Sequence, residues 1–284
     1  NDERVQPIVL TRPPGEERDH TVGWAVNRVD GGRGFGFTGG HFFENWKKPD
    51  YRRLLLNALV WAAGADVPAG GVESTMEAPI RALIVTGNNH AAHDWRKVTA
   101  ALIGVLEQDP RVVAHVTEEP NDLATVNKAN YDLVVMNYCN WDRPGLNDAA
   151  KKGFVDYLKS GGGLSIIHYA NGAIPATNSV WPEYYAKIVR RYWLHGEGKS
   201  GHDPFGGFKV SITDQRHPVT AGLAPFATND ELYFRQEGKE PIKPLVTARS
   251  KVTGKDEPMA WVYQYENARV FQTVLGHADE SIRN

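Results

Sequence analysis

The sequence predicts an α/β fold with a mainly parallel central sheet, and three features lead to this prediction. Residues 82–86 form an unbroken apolar run, which is typical of a strand buried on both faces of a parallel sheet. Amphipathic segments at 94–107 and 148–159 have the apolar spacing of helices. Three further apolar runs alternate with them, at 112–116, 133–136 and 164–167. Strands that alternate with helices imply crossover connections and a sheet covered on both faces.

The predicted elements each have their own local signal. In the first helix, Val98 and Leu102 share one face, and Gly161-Gly-Gly163 terminates the second helix. Beyond residue 173 the periodicity weakens, so residues 174–208 predict a long functional loop with one helix near 182–194. The remaining predicted strands complete the sheet, at 208–212, 245–248, 259–263 and 270–275.

Residues 5–41 are repeated imperfectly at residues 242–277. Four pairs share an offset of 237, since 244 − 7 = 237: Pro7, Val9, Arg12 and Trp24 fall on Pro244, Val246, Arg249 and Trp261. One residue is lost in the turn that follows, so the offset beyond it is 236, since 277 − 41 = 236. Four more pairs share this offset: Arg33, Phe35, Gly40 and His41 fall on Arg269, Phe271, Gly276 and His277. Both copies therefore predict two strands followed by Gly-His.

The repeat predicts two unequal domains. The first copy continues into an amphipathic helix at 49–63, whereas the second stops at Asn284. We therefore expect a partial domain copy at 1–70, made of closing strands and a terminal helix, and a domain at 78–284 that lacks its own terminal helix. Tandem duplication and circular permutation both explain this order. We favour duplication, because a permuted domain would have two Gly-His strands competing for one place.

Composition and charge exclude several classes of protein. With 32 Lys and Arg against 34 Asp and Glu, the net charge of −2 argues against nucleic acid as a partner. No run approaches the roughly 18–20 apolar residues of a membrane span, so we expect no membrane partner. Cys139 is the only cysteine, which excludes an internal disulfide and a multi-cysteine metal site. The bacterial periplasm and the cytoplasm both fit this composition.

Histidines cluster where the predicted strands end. Five of the ten lie at strand ends or just after them: His41, His90, His93, His168 and His277. A sixth, His202, lies in the predicted long loop. Ligands of open parallel sheets bind beyond the carboxyl ends of the strands. The sequence therefore predicts a polar site at that edge.

Several segments, in order, resemble the ThuA-like family, named for trehalose utilisation, within the class I glutamine amidotransferase-like superfamily. The matching segments are 86–95, 161–168, 201–206, 217–223, 230–233 and 269–277. The resemblance covers residues 80–284, and residues 5–64 resemble the closing part of the same domain. It implies a flavodoxin-like three-layer sandwich. It also implies a role in disaccharide and glucoside metabolism, often beside dehydrogenases that produce 3-keto sugars.

The resemblance also directs attention to His168. Amidotransferases need a cysteine nucleophile at the turn after the strand that here ends at His168, so we do not expect glutamine hydrolysis. We expect His168 to be the central acid–base group or metal ligand, assisted by His202, Glu231 and His277. For His277 a structural reading stays open, because its Gly-His motif is duplicated at His41.

The expected substrate contacts surround these groups. They are Asn89, His93, Trp95, Trp141 and Asp203. Tryptophans in or near the rim loops suit a sugar site because aromatic faces stack on sugar rings, but they suit the core equally. These tryptophans are Trp95, Trp141, Trp181 and Trp193.

Two kinds of chemistry remain open. His168, His202 and His277, converging with Glu231, would bind a divalent metal such as zinc. The same groups would perform metal-free acid–base chemistry on a sugar. We expect an enzyme of the glycoside or 3-keto-glycoside hydrolase or lyase type. The alternative is a non-catalytic carbohydrate-binding or scaffold module, and a homo-oligomer or the remainder of a tandem chain is the expected protein partner.

Overall fold

The computed structural model describes residues 3–74, 76, 78–88, 91–140, 144–172 and 181–284, and the backbone alone of Asn88. The chain forms two compact units, the first ending at Ala78 and the second beginning at Pro79. We describe each unit by itself. No helix in the described ranges is both long and apolar enough to cross a membrane.

Unit 1 is a three-stranded antiparallel sheet with one long helix. Its strands are β1 (Val5–Thr11), β2 (His20–Asn27) and β3 (Arg33–Phe37), and its helix is α1 (Pro49–Ala62). The strands pair in the order β1-β2-β3. Helix α1 begins with a proline in its first turn, where the missing N–H costs nothing. Gly64, at a φ of +82°, ends it in the left-handed conformation.

Unit 2 contains the long sheet. Its strands are β4 (Ile80–Asn88), β5 (Val112–Thr117), β6 (Leu133–Cys139), β7 (Gly163–Ile167), β8 (Gly201–His202), β9 (Gly206–Ile212), β10 (Phe226–Asp230), β11 (Tyr233–Phe234), β12 (Lys243–Arg249), β13 (Asp256–Tyr265) and β14 (Ala268–Thr273). Its helices are α2 (Trp95–Leu106), α3 (Asp148–Lys159) and α4 (Asp279–Arg283). The described part of the sheet has the order β10-β9-β12-β13-β14-β7-β6-β4-β5.

The predicted fold class is confirmed. Strands β14, β7, β6, β4 and β5 pair in parallel and form one block, which β13, β12, β9 and β10 extend with antiparallel pairing. Helix α2 begins after Asp94, whose carboxylate accepts a hydrogen bond from the Lys97 N–H. Helix α3 begins after Asn147, whose side chain accepts one from the Ala150 N–H at 2.8 Å.

Successive residues of the parallel strands pack into different cores, as strand geometry requires. Leu83, Val134 and Ile166 pack in a core with α3. Ile84 and Val135 pack in another core with α2. Helices thus cover both faces of the parallel block. This is the three-layer arrangement that the sequence predicted.

The two sequence copies have the same pairing register. Pro7 pairs with Trp24 in unit 1, and Pro244 pairs with Trp261 in unit 2. Both hairpins have a register shift directly after the proline. The burial of the copies differs, because Ile8 is 53% exposed whereas its counterpart Leu245 is fully buried. The tandem origin of this arrangement stays a prediction.

One predicted helix has an unexpected form. The helix expected near 182–194 is a π-helix limited to Tyr184–Val189. It ends at Arg190, a non-glycine residue with a φ of +62°. The guanidinium of Arg190 donates to the carbonyl oxygens of Pro241 and Gln264 at 2.6 Å each, and these bonds hold the unusual end in place.

Candidate functional site

The candidate site lies in unit 2, where the ends of parallel strands meet. His168 directly follows β7, and His277 follows β14 after Val274, Leu275 and Gly276. His93 lies in the segment between β4 and α2, and Glu231 lies between β10 and β11. Four side chains from separate parts of the chain thus converge, as the strand-end argument predicts.

His168 is fully buried and has a strained backbone. Its φ of +45° lies in the left-handed region, which is uncommon for a residue other than glycine. Its Nδ1 lies 2.6 Å from the carbonyl oxygen of Val274. Because a carbonyl oxygen only accepts, Nδ1 carries a proton. Its Nε2 lies 3.0 Å from the hydroxyl oxygen of Tyr233.

Glu231 connects three of the histidines. Its Oε2 lies 3.1 Å from Nδ1 of His277 and 3.6 Å from Nε2 of His168, and its Oε1 lies 3.4 Å from Nδ1 of His202. Burial acts to raise the pKa of Glu231, but hydrogen bonds and charge from His168 and His277 outweigh it and lower that pKa. Burial acts to lower the pKa of His277, but the carboxylates of Glu231 and Asp230 raise it overall. The pair Glu231–His277 therefore favours its charged form.

Asp230 fixes the position of this pair through the backbone. It is fully buried, and its carboxylate accepts hydrogen bonds from the N–H groups of Glu231 at 2.8 Å, Gly276 at 2.7 Å and His277 at 3.1 Å. Gly276 has a φ of +120°, and a Cβ added there would lie 2.9 Å from a methyl carbon of Ile167. The Gly-His motif therefore has the structural role left open by the sequence, and it also places the His277 ring in the cluster.

His93 completes a group of three histidines. One ring nitrogen each from His93, His168 and His277 lies within 4.8 Å of the others. The ring centroid of His93 is 5.3 Å from that of His168 and 4.8 Å from that of His277. Among the described residues this is the metal-capable group, and His202 is not part of it. A metal site that includes His202 therefore stays a prediction.

A pocket of about 220 Å³ opens beside the cluster. Its lining consists of Ala92, His93, Cys139, Tyr169, Asn171, Gly172, Trp193, His195, His202, Glu231 and Tyr233. His168 and His277 are not among these residues. The Trp193 ring lies 4.9 Å from that of Tyr233, centroid to centroid, and the two form an aromatic wall.

His202 contacts the pocket and Glu231 together. Its side chain is 39% exposed, and its Nδ1 lies 2.9 Å from the carbonyl oxygen of Asp203. This contact places the ring proton on Nδ1 and leaves the lone pair on Nε2. His202 is therefore able to accept a proton at Nε2 while Glu231 supports the resulting charge.

Four expected substrate contacts need comment. The Asp203 carboxylate is buried and accepts hydrogen bonds from the Ser250 hydroxyl at 2.7 Å and the Lys251 N–H at 2.6 Å, so it anchors a distant loop instead of facing the pocket. The ring of Trp95 is covered by the Arg96 guanidinium at 4.1 Å, and Trp95 does not line the pocket. Asn89 and Trp141 lie outside the described residues.

The pocket also contains aromatic and polar residues that were not among the predicted substrate contacts. Trp193 lines the pocket, whereas Trp181 packs in the core against Tyr184 at a centroid distance of 5.3 Å. Tyr233 and Asn171 also line it. Tyr233 directly follows the Asp-Glu-Leu segment, and that proximity to Glu231 is the signal that would have found it.

Cys139 lines the pocket but is unsuited to nucleophilic attack. Burial raises the pKa of its thiol to about 12, so the reactive thiolate is scarce at neutral pH. The position after β7, where an amidotransferase nucleophile is expected, holds His168. The absence of glutamine hydrolysis stays an expectation.

Comparison with known proteins now identifies the family. The ThuA family model, described as trehalose utilisation, matches residues 81–284. A ThuA-like protein from Parabacteroides merdae is 25% identical with a TM-score of 0.59, over 72% of this chain and 84% of that one. A ThuA-like protein from Bacteroides uniformis is 20% identical with a TM-score of 0.56, over 77% and 89%. Among curated proteins no significant match was found. Because the family model matches well over half of its length, the chain belongs to the ThuA family.

Proposed function

We propose that the pocket cleaves a glycoside whose sugar is oxidised to a ketone at C3, using His202 as general base. The observation that carries the proposal is the contact between His202 and Glu231, 3.4 Å apart at the wall of a pocket. A histidine whose protonated form is supported by a neighbouring carboxylate is a common general base. Membership of a family described by trehalose utilisation supports a sugar as substrate.

The size and lining of the pocket suit one sugar ring. Its volume of about 220 Å³ is below the roughly 300–1,000 Å³ of sites for drug-sized ligands. Trp193 and Tyr233 offer aromatic surface for the apolar face of a sugar. Asn171 and Glu231 offer polar groups for its hydroxyls. A disaccharide would then place its second ring toward the opening.

The proposed reaction is an elimination followed by addition of water. The ketone at C3 acidifies the C–H bond at C2, and Nε2 of His202 removes that proton. The electron pair of the C–H bond passes to the C3 oxygen as an enolate, and it returns to form a C1–C2 double bond as the bond from C1 to the glycosidic oxygen breaks. The departing oxygen takes the proton held by the His202 imidazolium and leaves as an alcohol. Addition of water across the double bond, with its proton returned to C2, completes a net hydrolysis.

Two other groups would assist in this scheme. Burial raises the pKa of Tyr233 well above its ordinary value, so its hydroxyl stays a hydrogen-bond donor at neutral pH. Such a donor stabilises the enolate oxygen that develops when the proton leaves C2. Glu231, held ionised by His168 and His277, stabilises the imidazolium of His202. His168 then acts through Glu231, in place of the direct role that the sequence suggested.

The test compares His202→Gln with Trp193→Phe in turnover of 3-keto-trehalose. Loss of a general base lowers kcat by about 10²–10⁴-fold, with little change in KM. Trp193→Phe keeps an aromatic ring and chiefly raises KM. His217→Gln, at a half-buried position that caps a short helix outside the pocket, is the matched control.

The alternative of a non-catalytic sugar-binding module is tested by the same experiment. It predicts that the unmodified protein binds the sugar without turnover. It also predicts that Trp193→Phe weakens binding more than His202→Gln does. Full turnover by the His202→Gln protein would contradict the general-base assignment.

A further inference from the structure

We propose that His93, His168 and His277 form a binding site for a divalent transition-metal ion such as Zn²⁺. The proposal concerns the site described under the proposed function and deepens it. It does not depend on the reaction assigned there, because metal binding is measured separately from turnover.

The three side chains come together from distant parts of the chain. One ring nitrogen of each lies within 4.8 Å of the other two. Ligand nitrogens held at the usual zinc–nitrogen distance of about 2.0–2.1 Å in a tetrahedral site lie about 3.3–3.4 Å apart. The ring nitrogens of the three histidines would therefore have to move closer together to bind a zinc ion. A set of three imidazoles also selects zinc-like metals over magnesium and calcium, which prefer oxygen ligands.

His168 has the hydrogen bond that a metal-binding histidine requires. Its Nδ1 donates to the carbonyl oxygen of Val274 at 2.6 Å. This bond leaves Nε2 as the nitrogen that would bind a metal in the neutral ring, in place of its contact with the Tyr233 hydroxyl. The backbone of His168 has a left-handed φ of +45°, a strained conformation that persists only where the surrounding structure holds it in place.

Two carboxylates lie beside the three histidines, and their negative charge favours a bound cation. Oε2 of Glu231 lies 3.1 Å from Nδ1 of His277 and 3.6 Å from Nε2 of His168. Asp230 adds a second buried carboxylate, which holds the backbone of His277 through its N–H. Two carboxylates beside three imidazoles balance the charge of a divalent ion in a buried site.

A metal at this position would be within reach of the pocket, because His93 and Glu231 line it. An ion bound there supplies a Lewis acid for a carbonyl oxygen. His202 remains outside the ligand set, where its Nε2 is available for proton transfer.

The experiment measures Zn²⁺ binding by the full chain. The protein is stripped with a chelator, its fold is checked by circular dichroism, and Zn²⁺ binding is measured by calorimetry, with elemental analysis of the loaded protein. The variants are His93→Gln and His277→Gln, so that the result does not depend on whether a variant at buried His168 folds. The controls are His115→Gln, at an exposed histidine on β5, and His202→Gln.

We expect about one Zn²⁺ per chain in the unmodified protein and in both controls, and at least a tenfold weaker binding in both ligand variants. A folded, unmodified protein that binds no Zn²⁺ at micromolar concentrations would overturn the proposal. Unchanged binding in His93→Gln, or loss of binding in His202→Gln, would overturn this ligand set.

The two proposals fail in different ways. Zn²⁺ binding as expected in a protein that does not turn over 3-keto-trehalose contradicts the proposed function and leaves the metal site intact. Turnover by a protein that binds no Zn²⁺ contradicts the metal site and leaves the general-base role of His202 intact.

Discussion

Replacement of Gly276 by alanine tests how the cluster is held together. Gly276 has a φ of +120°, and a Cβ would lie 2.9 Å from Cγ2 of Ile167 and 2.9 Å from Cδ1 of Ile282. The backbone strain costs about 1–3 kcal/mol, and the forced overlap with packed methyl groups costs about 1–3 kcal/mol more. The free energy of unfolding should therefore fall by about 2–6 kcal/mol.

The matched control is Gly222→Ala. Gly222 also has a positive φ, +78°, but no atom lies within 4 Å of a Cβ added there. Its cost is the left-handed strain alone, about 1–2 kcal/mol. The difference between the variants isolates the steric contribution at Gly276.

The assay is urea unfolding followed by tryptophan fluorescence, with both variants measured under the same conditions. Gly276→Ala should also lower turnover, because a displaced Gly276 moves the N–H groups that Asp230 holds. Losses of unfolding free energy that agree within about 0.5 kcal/mol would refute the claim that close packing requires glycine at this position.

Three further predictions follow from individual contacts. Asp230→Asn should lower the unfolding free energy by about 2 kcal/mol, because a buried carboxylate that accepts three backbone hydrogen bonds is replaced by a poorer acceptor. An unchanged free energy of urea unfolding would contradict the stabilising role of these hydrogen bonds. Cys139 should react with iodoacetamide much more slowly at pH 7.5 in the folded protein than in urea, since its thiol is buried and its pKa is raised to about 12; equal rates by mass spectrometry would contradict the burial. Exchange of Ile8 and Leu10 for threonine should change the unfolding free energy by less than about 1 kcal/mol, because they are 53% and 55% exposed; a larger loss in urea unfolding would show that they are packed.

The sequence was sufficient to predict the parallel block of the sheet, for a physical reason. A strand buried on both faces must be apolar throughout, and the run at 82–86 has this property. The antiparallel extension was harder to predict, because its strands have polar and apolar faces and their pairing depends on distant partners. In the order β10-β9-β12, for example, β9 pairs with β12, although β10 and β11 lie between them in the chain.

The convergence of His168, Glu231 and His277 was also predictable, because strand ends and the segments beside them meet at one edge of a sheet. Local sequence does not fix which way a loop side chain points. His93 therefore takes the place expected for His202 in the group of three histidines. Asp203 was expected to face the substrate, but its partners are 47 and 48 residues away in the chain, beyond the reach of local patterns.

Tryptophan illustrates the same limit. Trp181 and Trp193 lie in one predicted loop, and the sequence offered stacking on sugar and packing in the core as equal alternatives for both. The structure places Trp181 in the core and Trp193 at the pocket. The π-helix Tyr184–Val189 lies between them, a form that apolar periodicity does not predict.

The central claim is that His202 removes a proton from the carbon next to a ketone. The most direct measurement is cleavage of 3-keto-trehalose in D₂O, with the released 3-keto-glucose analysed by NMR and corrected for exchange without enzyme. The account predicts one deuterium at C2 of the product from the unmodified protein, and loss of this enzyme-dependent incorporation in His202→Gln. Cleavage at a normal rate with no deuterium at C2 would contradict it.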